Sequence, residues 1–120
     1  MTAEHSVHAN PMGTSLIVQV IGDMDYETAP FFRSRLLEEI TRGQQRVVLD
    51  LSAVTFCDSA GLNVLLWAWR QAEQAGVVLV LACVPPNLQR MLSMTGVDTV
   101  VGVYGTVAEA ENELVTDGGA

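Results

Sequence analysis

The sequence predicts an α/β domain on a mixed, mostly parallel sheet of four to five strands with about four helices, in the order β-β-α-β-α-β-α-β-α. Two runs carry that expectation. Val47-Val48-Leu49-Asp50-Leu51 and Val77 to Ala82 are almost wholly apolar and rich in β-branched residues. They are too short for helices, and they read as strands buried on both faces. Around them lie stretches of helical spacing closed by Gly43, Gly76 and Gly96, and that alternation of strand and helix builds a parallel sheet.

Each element follows from its local pattern. Met1 to His5 reads as a loose end, and Ser6 to Asn10 as a short edge strand. Pro11-Met12-Gly13-Thr14 turns the chain into a strand Ser15 to Ile21, where Leu16, Val18 and Val20 alternate with Ile17, Gln19 and Ile21. Gly22 to Pro30 reads as a loop, with Thr28 as a helix cap and Pro30 tolerated in the first turn. Phe31, Leu36, Leu37 and Ile40 supply the apolar stripe of a helix running to about Arg42. A strand Arg46 to Phe56 then stops abruptly at Asp58-Ser59-Ala60-Gly61-Leu62. Good helix formers follow to Ala75, so Ser59 is expected to cap a helix there and Gly61 to admit a close backbone approach. After Gly76 come the strand Val77 to Ala82, the break Pro85-Pro86 and a short amphipathic helix Asn87 to Met94. A strand Thr99 to Val103, an acidic helix Thr106 to Leu114 and a loose tail Thr116 to Ala120 complete the chain.

Composition narrows the function classes. With 120 residues and 49% hydrophobic content, one domain over 1–120 is expected, with no separate catalytic or DNA-binding unit. A net charge of −8 disfavours nucleic acid, whose phosphates need clustered cations, and favours a partner with a basic face. All six cations are arginine. The absence of lysine removes phosphate-loop, Schiff-base and receiver-domain lysine chemistries. The longest apolar runs fall far short of the roughly 18 to 20 residues that span a bilayer, and Met1 to Gly13 has no signal-peptide pattern. A cytoplasmic protein with no membrane partner is expected. Cys57 and Cys83 read as reduced core thiols.

Three segments, in order, resemble the STAS domain, the family of bacterial anti-sigma factor antagonists. Asp58-Ser59-Ala60-Gly61-Leu62 is similar to its D-S-[AST]-G-[LIV] signature, and the likeness extends back through the strand from Val47. Gly22-Asp23-Met24-Asp25-Tyr26-Glu27-Thr28-Ala29 is similar to its G-x-[LIM]-D-x-x-[TS]-A segment. Within Pro85 to Gly96, Arg90-Met91-Leu92-Ser93-Met94-Thr95-Gly96 looks like its helix end. The resemblance implies the STAS fold and a phosphoacceptor role for Ser59, with a partner anti-sigma factor serine kinase adding the phosphate and a phosphatase removing it. It implies that the unphosphorylated chain binds the anti-sigma factor and so releases a sigma factor. It places Asp23, Asp25, Asp58, Ala60 and Gly61 in or around the partner-binding site, and it implies no catalysis and no cofactor, Mg²⁺ belonging to the partner's ATP. A monomer or weak dimer is expected.

Two departures stand beside the signature: Cys57 where an aliphatic is usual, and Asn63 where small residues are common. These are positions that can tune which kinase is recognised. Related domains also serve anion transporters, lipid-transport complexes and stress-sensing assemblies, so a non-switching scaffold or ligand-binding module is the competing function.

Helical spacing adds Asn63 and Trp67, which follow Ser59 at i+4 and i+8 beside an apolar face of Leu62, Leu65, Leu66 and Trp69. They are candidate recognition residues, with packing at the core's edge the alternative role for Trp67. Asp23, Asp25 and Asp58 raise a metal site, but with no lysine and a serine as acceptor none is expected. A serine hydrolase is disfavoured, because the only histidines are His5 and His8 and no G-x-S-x-G elbow exists. A phosphate on Ser59 would lie at a helix N-terminus, which tolerates negative charge. Release of a partner is then expected from local charge and bulk, without refolding.

Overall fold

The structure, a computed structural model, describes residues 5–112. A five-stranded sheet runs in the order β1 (Ser6–Met12), β2 (Ser15–Met24), β3 (Arg46–Cys57), β4 (Val78–Ala82), β5 (Val103–Tyr104), with β1 antiparallel to β2 and the rest parallel. Helices α1 (Ala29–Ile40), α2 (Ser59–Gln74) and α3 (Pro86–Thr95) make the three parallel crossovers. A further helix, α4, occupies 107–112. The expected order of elements and the mixed sheet are both present.

Strands in sequential order with crossovers of one hand put successive helices on one face. The side chains divide accordingly. Leu16, Val18, Val47, Leu49, Leu51, Leu79 and Leu81 point into the larger core with Phe32, Leu36 and Ile40 of α1, Leu62, Leu65 and Ala68 of α2, and Leu88 and Leu92 of α3. Ile17, Val48, Val80 and Ala82 point the other way, against Ala110 and Val107 of α4. This is why β3 and β4 look continuously apolar: each successive residue serves a different core.

Several boundaries differ from expectation. Gly22, Asp23 and Met24 continue β2, because β3 accommodates them with two irregularities. Register steps from Gln19↔Asp50 to Ile21↔Ala53, and from Gly22↔Val54 to Asp23↔Phe56. The extra residues on β3 carry it as far as Cys57. The expected strand Thr99 to Val103 is mostly absent. Gly96 ends α3 in the left-handed region at φ 79°, Val97–Thr99 forms a 3-10 turn, and only Val103–Tyr104 pairs with β4. Val97 and Val101 are buried from that turn, so the apolar content there serves packing. Both cysteines are free but only half-buried, since each follows or ends a strand at the sheet's rim.

The expected loose start is met by structure at His5, whose ring lies edge-on to Phe31 with centroids 4.6 Å apart. Residues 1–4, the end of the acidic helix beyond 112 and the tail lie outside the described residues. On α1, Glu39 is buried yet paired: Arg35 and Arg42 reach its two oxygens at 3.1 and 3.2 Å. Arg35 also donates to the Val7 carbonyl at 3.2 Å, covering an acceptor on β1, the sheet's edge strand.

Candidate functional site

The carboxyl ends of β2 and β3 lie together, tied by the Asp58 backbone amide donating to the Met24 carbonyl at 3.2 Å. At this point β3 gives way to α2. The cap is Asp58 and not the expected Ser59: one Asp58 carboxylate oxygen, Oδ1, accepts from the Ala60 and Gly61 amides at 2.9 and 3.1 Å. Asp58 is extended, as an N-cap should be, while Ser59 is the first helical residue. Either residue type caps well, and the extra length of β3 decided between them. The consequence is chemical. Ser59 is exposed and its hydroxyl makes no hydrogen bond among the described residues, so the fold does not use it.

Gly61 holds the helix against the strand. A Cβ there would overlap the Met24 carbonyl oxygen and stand 2.7 Å from Met24 Cβ and 2.8 Å from Cys57 Sγ. The close approach expected at this glycine is therefore real, and it fixes the height at which Ser59 emerges.

The other expected residues fall around this point. Asp23, at the end of β2, accepts from the Thr55 hydroxyl at 2.6 Å, using one of the extra residues of β3. Asp25 turns the chain, its carboxylate accepting from the amides of Glu27 and Thr28 at 3.0 Å each. Thr28 takes the expected N-cap position of α1, its carbonyl accepting from the Phe32 amide at 3.1 Å, but its side chain makes no capping hydrogen bond. Its hydroxyl instead accepts from the Asp25 amide at 2.9 Å and donates to the Asp23 carbonyl at 2.8 Å, locking the loop. Asn63 is exposed one turn below Ser59, whereas Trp67 is half-buried against the main core. Asp23, Asp25 and Asp58 each serve a different hydrogen-bond partner, and among the described residues no group of three or more His, Cys, Asp and Glu is placed to hold a metal ion.

Two grooves reach residues on either side of Ser59 in the chain, Cys57 in one and Ala60 in the other. One, of about 450 Å³, runs past Phe56, Cys57, Pro85 and Asn87, with the Phe56 ring 52% exposed. The other, of about 610 Å³, separates the starts of α1 and α2 and is lined by Tyr26, Pro30, Arg33, Ala60 and Asn63 among others. Neither Tyr26 nor Arg33 was singled out from sequence; only the side-by-side packing of α1 and α2 brings them to Ala60.

Burial, and then the neighbouring Asp58 charge, push the Cys57 thiol up to about 12. Because the folded value is raised, the stability that comes from keeping the thiol neutral is complete below the unfolded value of about 8.5. It is lost as pH climbs from there toward 12. At pH 8 the folded protein should hold about a thousandfold less Cys57 thiolate than an unperturbed thiol. Iodoacetamide should label it correspondingly slowly until urea unfolds the chain, as followed by peptide mass mapping. Comparable labelling rates with and without urea would show that the thiol is not shielded as described.

With this geometry in view, comparison with known proteins is specific. A family model described as the STAS domain matches residues 5–110. The anti-sigma F factor antagonist of Paenibacillus polymyxa is 33% identical over 100 residues, spanning 82% of this chain and 86% of its own. The crystal structure of an anti-sigma factor antagonist from Mycobacterium paratuberculosis superposes with a TM-score of 0.80 at 25% identity, over 94% of this chain and 97% of that one. A sulfate transporter family protein from Wolinella succinogenes shares the fold, with a TM-score of 0.73 at 19% identity over 90% and 92% of the two chains.

Proposed function

From the premise that the chain belongs to the STAS domain family, we propose that it is an anti-sigma factor antagonist switched at Ser59. Unphosphorylated, it binds an anti-sigma factor that is itself a serine kinase, and a sigma factor is released. Phosphorylation of Ser59 ends the binding, and a separate phosphatase restores it. The chain catalyses nothing itself and acts in the cytoplasm, with no nucleic acid or membrane in its cycle.

The observation that supports this most directly is the division of labour between Asp58 and Ser59. Asp58 takes over the capping of α2, which leaves an exposed hydroxyl without a structural task beside it. A residue that must be modified and restored repeatedly is best placed where neither state is needed for folding. The partner surface then comprises Ser59 with Asp58, Ala60 and Gly61, the Asp23 carboxylate at the end of β2 and the Asp25 carboxylate in the loop after it, and Asn63 and Trp67 further along α2.

The test is intact mass before and after incubating the wild type and Ser59→Ala with host extract and Mg-ATP. One added phosphoryl group is expected on the wild type and none on the variant. If an extract that phosphorylates another substrate leaves the wild type unchanged, the result favours a non-switching scaffold or ligand-binding module over the switch.

A further inference from the structure

The groove between α1 and α2 carries an unusual charge for its position. The end of the molecule around Ser59 is acidic through Asp23, Asp25, Glu27 and Asp58, yet in the groove, which Glu27 also lines, Arg33 adds a cation beside Ala60 and Asn63 without pairing to that carboxylate. Arg33 is exposed and makes no ion pair or hydrogen bond among the described residues. The other α1 arginine, Arg35, is committed to Glu38 and Glu39. A wholly basic partner face would suit the carboxylates and be repelled at this one point, and covering an unpaired guanidinium is costly.

Resting on the antagonist function proposed above, we infer that Arg33 is a specificity-determining contact, receiving an acidic side chain of the anti-sigma factor in this groove, with Tyr26 forming the wall against which that segment packs. Guanidinium and carboxylate pair through two parallel hydrogen bonds, so the contact reads geometry as well as charge. Tyr26 is 83% exposed, but the hydrogen bonds joining Asp25 to Thr28 hold its loop, so little order remains to be lost on binding. Tyrosine and arginine are also the residue types that carry much of the energy of protein interfaces. The groove is continuous with the Ser59 surface, since Ala60 belongs to both. One acidic residue among basic ones would let a cell holding several kinases of this kind keep their antagonists apart.

The test uses the full chain and each anti-sigma factor kinase encoded in the host genome, purified singly, with affinity read by titration calorimetry. Arg33→Glu should weaken the kinase that binds the wild type by roughly tenfold or more, and changing one Asp or Glu of that kinase to Lys should restore binding to the variant. Arg33→Ala, which introduces no new charge, should weaken binding less while leaving the melting temperature unchanged. Equal affinity of wild type and Arg33→Glu for the same kinase overturns the inference and leaves the antagonist function standing. A loss that no charge reversal on the kinase repairs overturns the acidic contact. If no kinase binds the wild type, the antagonist function fails, and the inference fails with it.

Discussion

Gly61→Ala is expected to cost about 2 to 3 kcal/mol of stability, lowering the melting temperature by roughly 8 to 12 °C for a domain of this size. The sign is what makes the result informative. In an exposed helix, alanine is better than glycine by about 1 kcal/mol, so the ordinary expectation is a gain. Here the new methyl meets the Met24 carbonyl and stands within 2.8 Å of both Met24 Cβ and Cys57 Sγ. Backbone on a central strand cannot step aside as the tip of a long side chain can. The Met24 carbonyl also accepts the Asp58 amide, so pushing it away loosens the cap that Asp58 provides to α2. The start of the helix must tilt off the sheet, and Ser59 moves with it. Urea unfolding measures the loss, and Gly61→Ala matching or exceeding wild-type stability would mean that α2 is not clamped at this point.

The glycine was legible because its meaning is local: a strand stopping, a helix starting, and one residue without a side chain between them. The choice of cap was not. Asp58 and Ser59 are equally suited by type, and the decision lay in how far β3 extends, which depends on irregular pairing between β2 and β3 over Gln19 to Asp23. No periodicity within either strand records that. Thr28 stands at the N-cap of α1 as expected, but its hydroxyl bonds the Asp25 amide and Asp23 carbonyl instead of an amide of the first turn. Val100, Val101 and Val103 look like a strand by composition, while the left-handed Gly96 starts a turn that spends Val97 and Val101 on the core. Arg33 lies on one helix and Ala60 on the next, and pattern along a single helix cannot place them in one groove.

Full phosphorylation of Ser59 is expected to lower affinity for the anti-sigma factor by roughly 100-fold or more, the loss of about 3 kcal/mol, while stability changes by less than about 1 kcal/mol. The two halves have different causes. For stability, the phosphate joins the first turn of α2, where unpaired amides and the helix dipole favour an anion. Part of that advantage is already taken, because Asp58 accepts from Ala60 and Gly61, and Asp58 repels the newcomer from next door. The opposing effects nearly cancel, and no buried group is disturbed, since the Ser59 hydroxyl is exposed and unbonded among the described residues. For binding there is no such cancellation. About −1.5 to −2 charges and the volume of a phosphate are added at the proposed contact surface, on a chain already at −8. An interface group that cannot be accommodated costs its full desolvation as well as the contacts it displaces. Phosphorylated and unphosphorylated protein, separated by ion exchange, would be compared by calorimetry and by thermal unfolding. Lost affinity together with a melting point lowered by more than 10 °C would assign the switch to unfolding of α2, and unchanged affinity would remove Ser59 from the interface.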